Sequence, residues 1–389
     1  MKMQLSIKQI SIFLFGIVVF FLTRQIPFGS LSSVSNVALI GLFTLVIYKK
    51  PEILKNNIWV FIWLGILIGY SLICQNEVKY IIRFSIIFVL IILAYNIAMP
   101  IQILKIFYFF VIFQAIIVIV FEIILLLFFS QDTYMPIRFF FLERQWGDIY
   151  TYSGMYYLIQ MKGNALLPFA YMFTFVLKFS SLKKKWLLRI TLFLGVIFVG
   201  NFAFFISLFV FHLFRYIYIQ GLSYNIAFKR ILLIMIIGII TIPIIYTYTQ
   251  ETLKRKSDVS LGTRSDQFNV LVTDLCENLV TLSFGQGLGN TLSVITSFRD
   301  YTDNVYFELQ AVYFINQIGI VNFLIFLIVN VYLAVTIIKN KSLLWLYCCY
   351  IIYAITNPYI LDTSHVVVII MLVSINKYYN ENRLHISHI

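Results

Sequence analysis

Apolar and polar residues alternate along the chain in long blocks: runs of Leu, Ile, Val and Phe separated by short polar punctuation. The runs centre near Phe15, Leu39, Gly65, Val89, Val118, Phe173, Phe193, Phe209, Ile236, Phe326, Tyr350 and Ile370. An α-helix needs about 20 predominantly apolar residues to cross a hydrocarbon layer. The pattern therefore predicts an all-α polytopic membrane protein of about twelve transmembrane helices. It lacks the alternating strands, roughly ten residues long, of an outer-membrane barrel. The stretch from Trp186 to Tyr218 has room for two short helices joined at Gly200-Asn201, and Gly65 and Gly69 form one GxxxG packing pattern. Most connections are short, as expected where the backbone must satisfy its own hydrogen bonds. Two are not: residues 130–163 and 249–304 form enlarged loops in what otherwise reads as a single transmembrane domain, 1–389. Long loops in compact proteins tend to carry function.

Composition removes the soluble alternatives. Of 389 residues, 61% are hydrophobic and 12% charged, with a mean hydropathy of +0.93. That excess cannot be hidden in one soluble core, which excludes a water-soluble enzyme on a single anchor. The net charge of +13 raises the question of nucleic acid, and its placement answers it. With the N-terminus in the cytoplasm, the connections on that side, from Lys2 and Lys8 through Lys183 to Lys185 to Lys377 and Arg383, hold 18 basic residues against Glu52 and Glu381. The other 11 basic residues share their side with 14 carboxylates. This imbalance obeys the positive-inside rule, so the basicity is a topology signal and no nucleic-acid partner is implied. Both termini are predicted to be cytoplasmic and both enlarged loops outside. After Lys2 and Lys8, the run from Ile10 to Leu22 lacks a small-residue cleavage site and is predicted to be a retained helix. Cys74, Cys276, Cys348 and Cys349 form no disulfide framework or metal spacing.

Chemistry is expected outside. The cytoplasmic loops are short, basic and carry no glycine-rich phosphate loop. The second enlarged loop collects Lys254, Arg255, Arg264, Asp266, Asp274 and Glu277, then the run Gly285-Gln286-Gly287-Leu288-Gly289-Asn290, then Arg299 to Glu308 leading into a helix. As a solvated loop this segment needs only a helix N-cap at Asp303 or Asn304. Its recurrent arginines beside a helix mouth also suit a phosphate-bearing ligand. The Gly-x-Gly-x-Gly follows no parallel strand, so a dinucleotide fingerprint is not implied; close backbone approach or a tight turn accounts for it. The first enlarged loop is aromatic, with Arg138, Arg144 and Lys162 interleaved. It suits either the bilayer surface or the apolar faces of sugars. Glu122 in an apolar run is a functional candidate or a structural hydrogen-bonding group, and the same alternatives hold for His212 and His365.

Two enlarged outer loops in a twelve-helix bundle, Thr263-Arg264, the Gly-x-Gly-x-Gly segment, Asn304-Val305-Tyr306-Phe307-Glu308-Leu309 and then Gly319 together resemble the Wzy-type O-antigen polymerases and the related O-antigen ligases. The resemblance implies a metal-independent, cofactor-free glycosyltransferase of the bacterial inner membrane. It would act at the periplasmic face on polyprenyl-diphosphate-linked oligosaccharides, with a chain-length regulator as a further partner. The resemblance assigns Arg264 and Arg299 to the leaving diphosphate and Asp303 to acceptor deprotonation. Lys254, Arg255, Asn304, Glu308, Lys162, Arg138 and Arg144 are the expected substrate contacts. Ligase relatives carry a histidine where this chain has Asp303, which leans toward polymerase. Relatives also have an arginine near the hairpin that here is Gly200-Asn201, leaving that phosphate contact to Lys162 or Arg24. A lipid-linked glycan flippase or exporter is the alternative, and it should instead show compact loops and cations lining a central cavity.

Overall fold

A computed structural model of the protein describes residues 6–151, 156–161, 163–177, 182–217, 226, 229, 262–295, 300–302, 305 and 307–382. Helices dominate, and they fall where the apolar runs predict. α1 (Ile7–Leu22), α2 (Ser33–Lys49), the short α3 (Glu52–Asn56), α4 (Ile58–Ile73), α5 (Val78–Ala94) and α6 (Ile103–Phe128) form the first half. After α7 (Met135–Glu143) come α8 (Leu166–Val176), α9 (Leu182–Val199) and α10 (Phe202–Ile217). α11 covers 262–275, followed by α12 (Leu279–Phe284), α13 (Gln310–Ile337), α14 (Lys341–Ile355) and α15 (Thr363–Asn382). Eleven of the twelve run centres lie on these helices, and the twelfth, Ile236, is outside the described residues. The α9–α10 turn is at Gly200-Asn201, as predicted. Among the described residues, a Cβ at Gly65 or Gly69 meets nothing within 4 Å, so no packing seam forms there with the described helices.

Among the described residues, two helices, α6 and α13, are long and apolar enough to cross a membrane. α6 is inside-out by the standards of a soluble helix. Its polar Gln114 and Glu122 are fully buried, while Phe109, Phe113, Ile123 and Leu127 face outward. α13 is broken at Gly319, whose φ of 76° and ψ of 167° leave a short buried segment before the kink and the longer apolar one after it. α8 and most of α15 are buried on all sides and form the centre of the bundle.

The helix ends that meet follow antiparallel threading. Asn36 near the start of α2 accepts a 2.9 Å hydrogen bond from Thr363 at the start of α15. Tyr70 and Asn76, at and just beyond the end of α4, donate to the carbonyls of Gly285 and Gln286. Asn201 donates to Asn357 beyond α14. Trp146 in the first enlarged loop donates at 2.6 Å to the carbonyl of Arg24 beyond α1, and burial of Arg24 is partly offset by the charge of Asp362 before α15. Both enlarged loops therefore sit at one end of the bundle.

Neither loop is the open segment the sequence suggests. The first contains α7 and the hairpin β1 (Gly147–Tyr150) and β2 (Leu158–Met161), antiparallel with Asp148 opposite Gln160. This small hairpin sits within a chain that is otherwise mostly helical among the described residues, in line with the all-α expectation. Four of the loop's aromatics, Tyr134, Phe141, Trp146 and Tyr157, are buried while Phe139, Phe140 and Tyr156 are exposed, and Phe141 and Trp146 stack at 4.6 Å and pack on Phe121 of α6. In the second loop, 262–275 is helical because Thr263, Gln267, Leu271 and Leu275 recur every fourth residue and all are buried.

Glu122 is a structural group. Its Oε1 accepts a 2.9 Å hydrogen bond from the backbone N–H of Tyr157, joining α6 to the residue before β2. Glu122→Gln keeps that acceptor and should change the unfolding midpoint little. Glu122→Ala should cost about 2 to 4 kcal/mol, from an unsatisfied buried N–H plus a void. Thermal unfolding of the purified protein checks both; equal midpoints for wild type and Ala would refute the role.

Candidate functional site

The second loop is anchored by a buried polar network. Asn316 of α13 donates at 2.7 Å to Asp274 and at 3.1 Å to the carbonyl of Leu271. Asn290 donates to Asn316 at 3.3 Å, Gln286 donates to the Asp274 carbonyl at 3.0 Å, and the Tyr313 hydroxyl donates to the Asn290 carbonyl. The glycine run lies across this network. Gln286 and Gly287 donate to the carbonyls of Asn316 and Gln317, both at 2.8 Å, and Leu288 donates to the Ser71 hydroxyl at 2.7 Å. Those N–H groups are spent on the protein itself, so the run is a packing device rather than a phosphate cradle. Gly285 (φ 82°) and Gly319 meet backbone to backbone: a Cβ on Gly319 would lie 2.2 Å from the Ser283 carbonyl oxygen.

That anchoring sets α13 so that its first residue, Gln310, faces a cavity of about 320 Å³ between the ends of α2, α5, α13 and α15 that lie on the side of the enlarged loops. Lys79 and Arg83 stand in its wall on α5, four residues apart and so on one helix face. Arg83 is exposed and makes no ion pair among the described residues, whereas Lys79 pairs with Glu77 at 2.6 Å. Opposite them are Asn36, Asp362 and Thr363. Asp362 caps the first turn of α15, accepting from the backbone N–H and the hydroxyl of Ser364. Behind it is Arg24, a non-glycine residue at φ 52°. Burial lowers the Arg24 pKa below the ordinary arginine value, and the Asp362 charge offsets part of that shift. The Gln310 side chain is 7% exposed and its Oε1 has no partner among the described residues.

Ile40, Ile86 and Leu90 also line a second space, of about 350 Å³, which runs along α2, α3, α4 and α5 past Phe43, Phe61 and Leu64. The two spaces share Ile40, Ile86 and Leu90: the first has Lys79, Arg83 and Asp362 in its wall, and the second is lined almost wholly by apolar side chains. Their chemistry suits a ligand with an anionic head and a long hydrocarbon tail.

The residues singled out from sequence distribute unevenly around these spaces. Arg264 and Glu308 come together, with Nε and Oε2 at 3.3 Å. Gln267, one turn from Arg264, accepts the backbone N–H groups of Glu308 and Leu309. α13 begins at Gln310 with Leu309 at its N-cap and no side-chain cap bond, so the cap expected at Asp303 or Asn304 does not fall at the start of this helix. Arg138 is held in a two-pronged pair with Asp148, at 2.8 and 3.2 Å. Arg144 lies over the rings of Phe28 and Phe140. Both belong to the first loop's own packing. Lys162, Lys254, Arg255, Arg299, Asp303 and Asn304 lie outside the described residues. Asp300 accepts from the Thr302 hydroxyl at 2.6 Å and its N–H at 2.8 Å. These bonds hold its carboxyl below the ordinary aspartate value, which makes it a poorer base. His212 and His365 are bonded to Tyr171 and Tyr347.

Arg83 and Asp362 were absent from the residues chosen by sequence, yet each has a signal. Lys79-x-x-x-Arg83 opens an otherwise apolar helix, and Asp362 is the lone carboxylate in the short connection before α15. A scan of family descriptions found no match to this chain, and searches of curated proteins and of solved structures found none either.

Proposed function

We propose that the chain is a polytopic glycosyltransferase of the bacterial inner membrane, of the O-antigen polymerase kind. It joins polyprenyl-diphosphate-linked oligosaccharide repeat units at the periplasmic face. The observation that carries this reading is the pair of adjoining spaces, taken together as one amphipathic cleft: Arg83 and neighbouring Lys79 in the polar one, and apolar side chains between α2 and α5 in the other. A lipid diphosphate needs both parts. The reading has about twelve crossings, with both termini and the lysine-rich connections cytoplasmic and the cleft's mouth outside.

In the proposed reaction a hydroxyl of the acceptor repeat unit attacks the anomeric carbon of the donor glycan. The new glycosidic bond forms as the bond to the diphosphate oxygen breaks, and polyprenyl diphosphate leaves. Arg83 and Lys79 offset the charge that develops on the leaving oxygens, with Arg264 and Arg299 contributing from the second loop. The acceptor proton goes to a carboxylate: Asp303 by resemblance, or Asp362 by its position in the cleft wall. A metal has no role in this scheme, in which cationic side chains do the electrostatic work.

A flippase would carry its cations along a central passage. The described cleft lies at one end of the bundle and along its flank, which supports transfer over transport. A strain lacking the chain tests the choice on a lipopolysaccharide gel. Core bearing one repeat unit is the result expected of a lost polymerase; bare core would point to a lost ligase or flippase.

Topology has its own test. In a cysteine-free background, single cysteines placed in 130–163 and 249–304 should react with an impermeant thiol reagent from the periplasm. Labelling only after the inner membrane is permeabilised would reverse the orientation.

A further inference from the structure

At the end of the bundle opposite the cleft, two guanidinium groups share one phenyl ring. Arg189 of α9 places its Cζ 3.5 Å from the centre of the Phe175 ring, and Arg215, in the last turn of α10, places its own at 4.7 Å. Arg189 is fixed there by two hydrogen bonds to Thr174 at the end of α8, Nε to the hydroxyl and Nη2 to the carbonyl, both 3.1 Å. Lys185 is one turn earlier on α9. Among the described residues, the polar groups facing this cluster are Thr174 and Tyr171 from α8, Tyr108 from α6 and His212 from α10, and none is a carboxylate. Neither arginine has an ion pair among the described residues.

Within the segment that carries both arginines, the sequence supplies no countercharge. From Ile149 to Gln250 the chain contains no aspartate and no glutamate. Two half-buried guanidiniums held this close repel each other unless an anion sits between or beside them. Their donors present a fork suited to phosphate oxygens. On the same helix, Trp186, Leu187 and Ile190 are all more than half exposed. They form an apolar flank, with a tryptophan at the level where interfaces place it.

We infer that Arg189 and Arg215, backed by Phe175, bind the phosphate of an anionic phospholipid headgroup in the adjoining leaflet, whose acyl chains lie on the exposed face of α9. The apolar flank selects a lipid over a free phosphate ion. This inference rests on the chain being embedded in a membrane and is independent of glycosyl transfer.

The test uses the purified full-length protein in detergent, titrated with phosphatidylglycerol, phosphatidylcholine or inorganic phosphate. Bound lipid is read by native mass spectrometry and stabilisation by the thermal midpoint. Phosphatidylglycerol should bind and raise the midpoint, and Arg189→Gln with Arg215→Gln should weaken that binding about tenfold or more. The single changes Arg189→Lys and Arg215→Lys keep the charge and lose the planar fork, so each should weaken it severalfold without threatening the fold. Equal binding of phosphatidylglycerol by wild type and both lysine variants would overturn the site. So would equal effects of phosphatidylcholine, and an inorganic-phosphate effect as large as the lipid's would reassign it to a soluble anion.

Discussion

Arg83→Ala is expected to lower glycosyl transfer by about a hundredfold or more at matched protein levels, while Arg83→Lys keeps part of the activity. A hydrogen-bonded charge aimed at a developing anion is worth about 3 to 4 kcal/mol in a site that excludes water. Arg83 has the position for that task. It lines the polar mouth of the cleft, sits one turn from Lys79 on α5, and has no carboxylate partner among the described residues. Its neighbours Ile82 and Ile86 are outward-facing apolar residues. A cation placed there gains nothing from the protein's own packing, so removing it should leave the fold intact. Initial rates in proteoliposomes separate the variants. Wild-type rates for both would take Arg83 out of the mechanism and leave Arg264 and Arg299 to carry the diphosphate.

The second large effect is structural. Gly319→Ala should destabilise the protein by about 3 kcal/mol or more, from a left-handed backbone worth about 1 to 2 kcal/mol and overpacking worth about 1 to 3 kcal/mol. The Gly319 φ is 76°, and an added Cβ would meet the Ser283 oxygen and the Phe284 nitrogen at 2.2 and 2.4 Å, both backbone atoms that cannot swing aside. Because this contact seats the glycine run against α13, the substitution should also displace Gln310 from the cleft and lower activity beyond the loss in yield. Gly65→Ala is the control: its Cβ meets nothing within 4 Å, and in a helix interior it should be neutral or stabilising by about 0.5 to 1 kcal/mol. A Gly319→Ala midpoint equal to that of wild type would remove the kink from the account of the site.

Helix placement was legible in the chain because its helices are built from long, uniform apolar runs. The α9–α10 turn at Gly200-Asn201 follows from basic markers on both sides of one hairpin. The two enlarged loops were less legible. Residues 262–275 read as polar loop because Arg264, Ser265 and Asp266 dominate the local composition, although the buried stripe from Thr263 to Leu275 has helical spacing. The first loop's β-hairpin escaped because the aromatics on and around its strands suit an interfacial segment as well as a core. The candidate site was least legible of all. Arg83 and Asp362 are 279 positions apart, and only the packing of α5 beside α15 makes them face one cavity. The polar residues that attract attention in sequence, Arg138 and Arg264, are the ones that found partners, in Asp148 and Glu308. Arg83, which pairs with no carboxylate among the described residues, is marked in sequence only by its spacing from Lys79 at the start of an apolar helix.

The central claim is that this chain lengthens a lipid-linked glycan, and one measurement addresses it directly. The purified protein is reconstituted in vesicles with a polyprenyl-diphosphate-linked oligosaccharide repeat unit, and the masses of the lipid-linked products are followed in time. The account requires products that grow by whole repeat units, with one polyprenyl diphosphate released for each bond made. Repeat units that cross the bilayer at an undiminished length, with no diphosphate released, would contradict it and establish transport in its place.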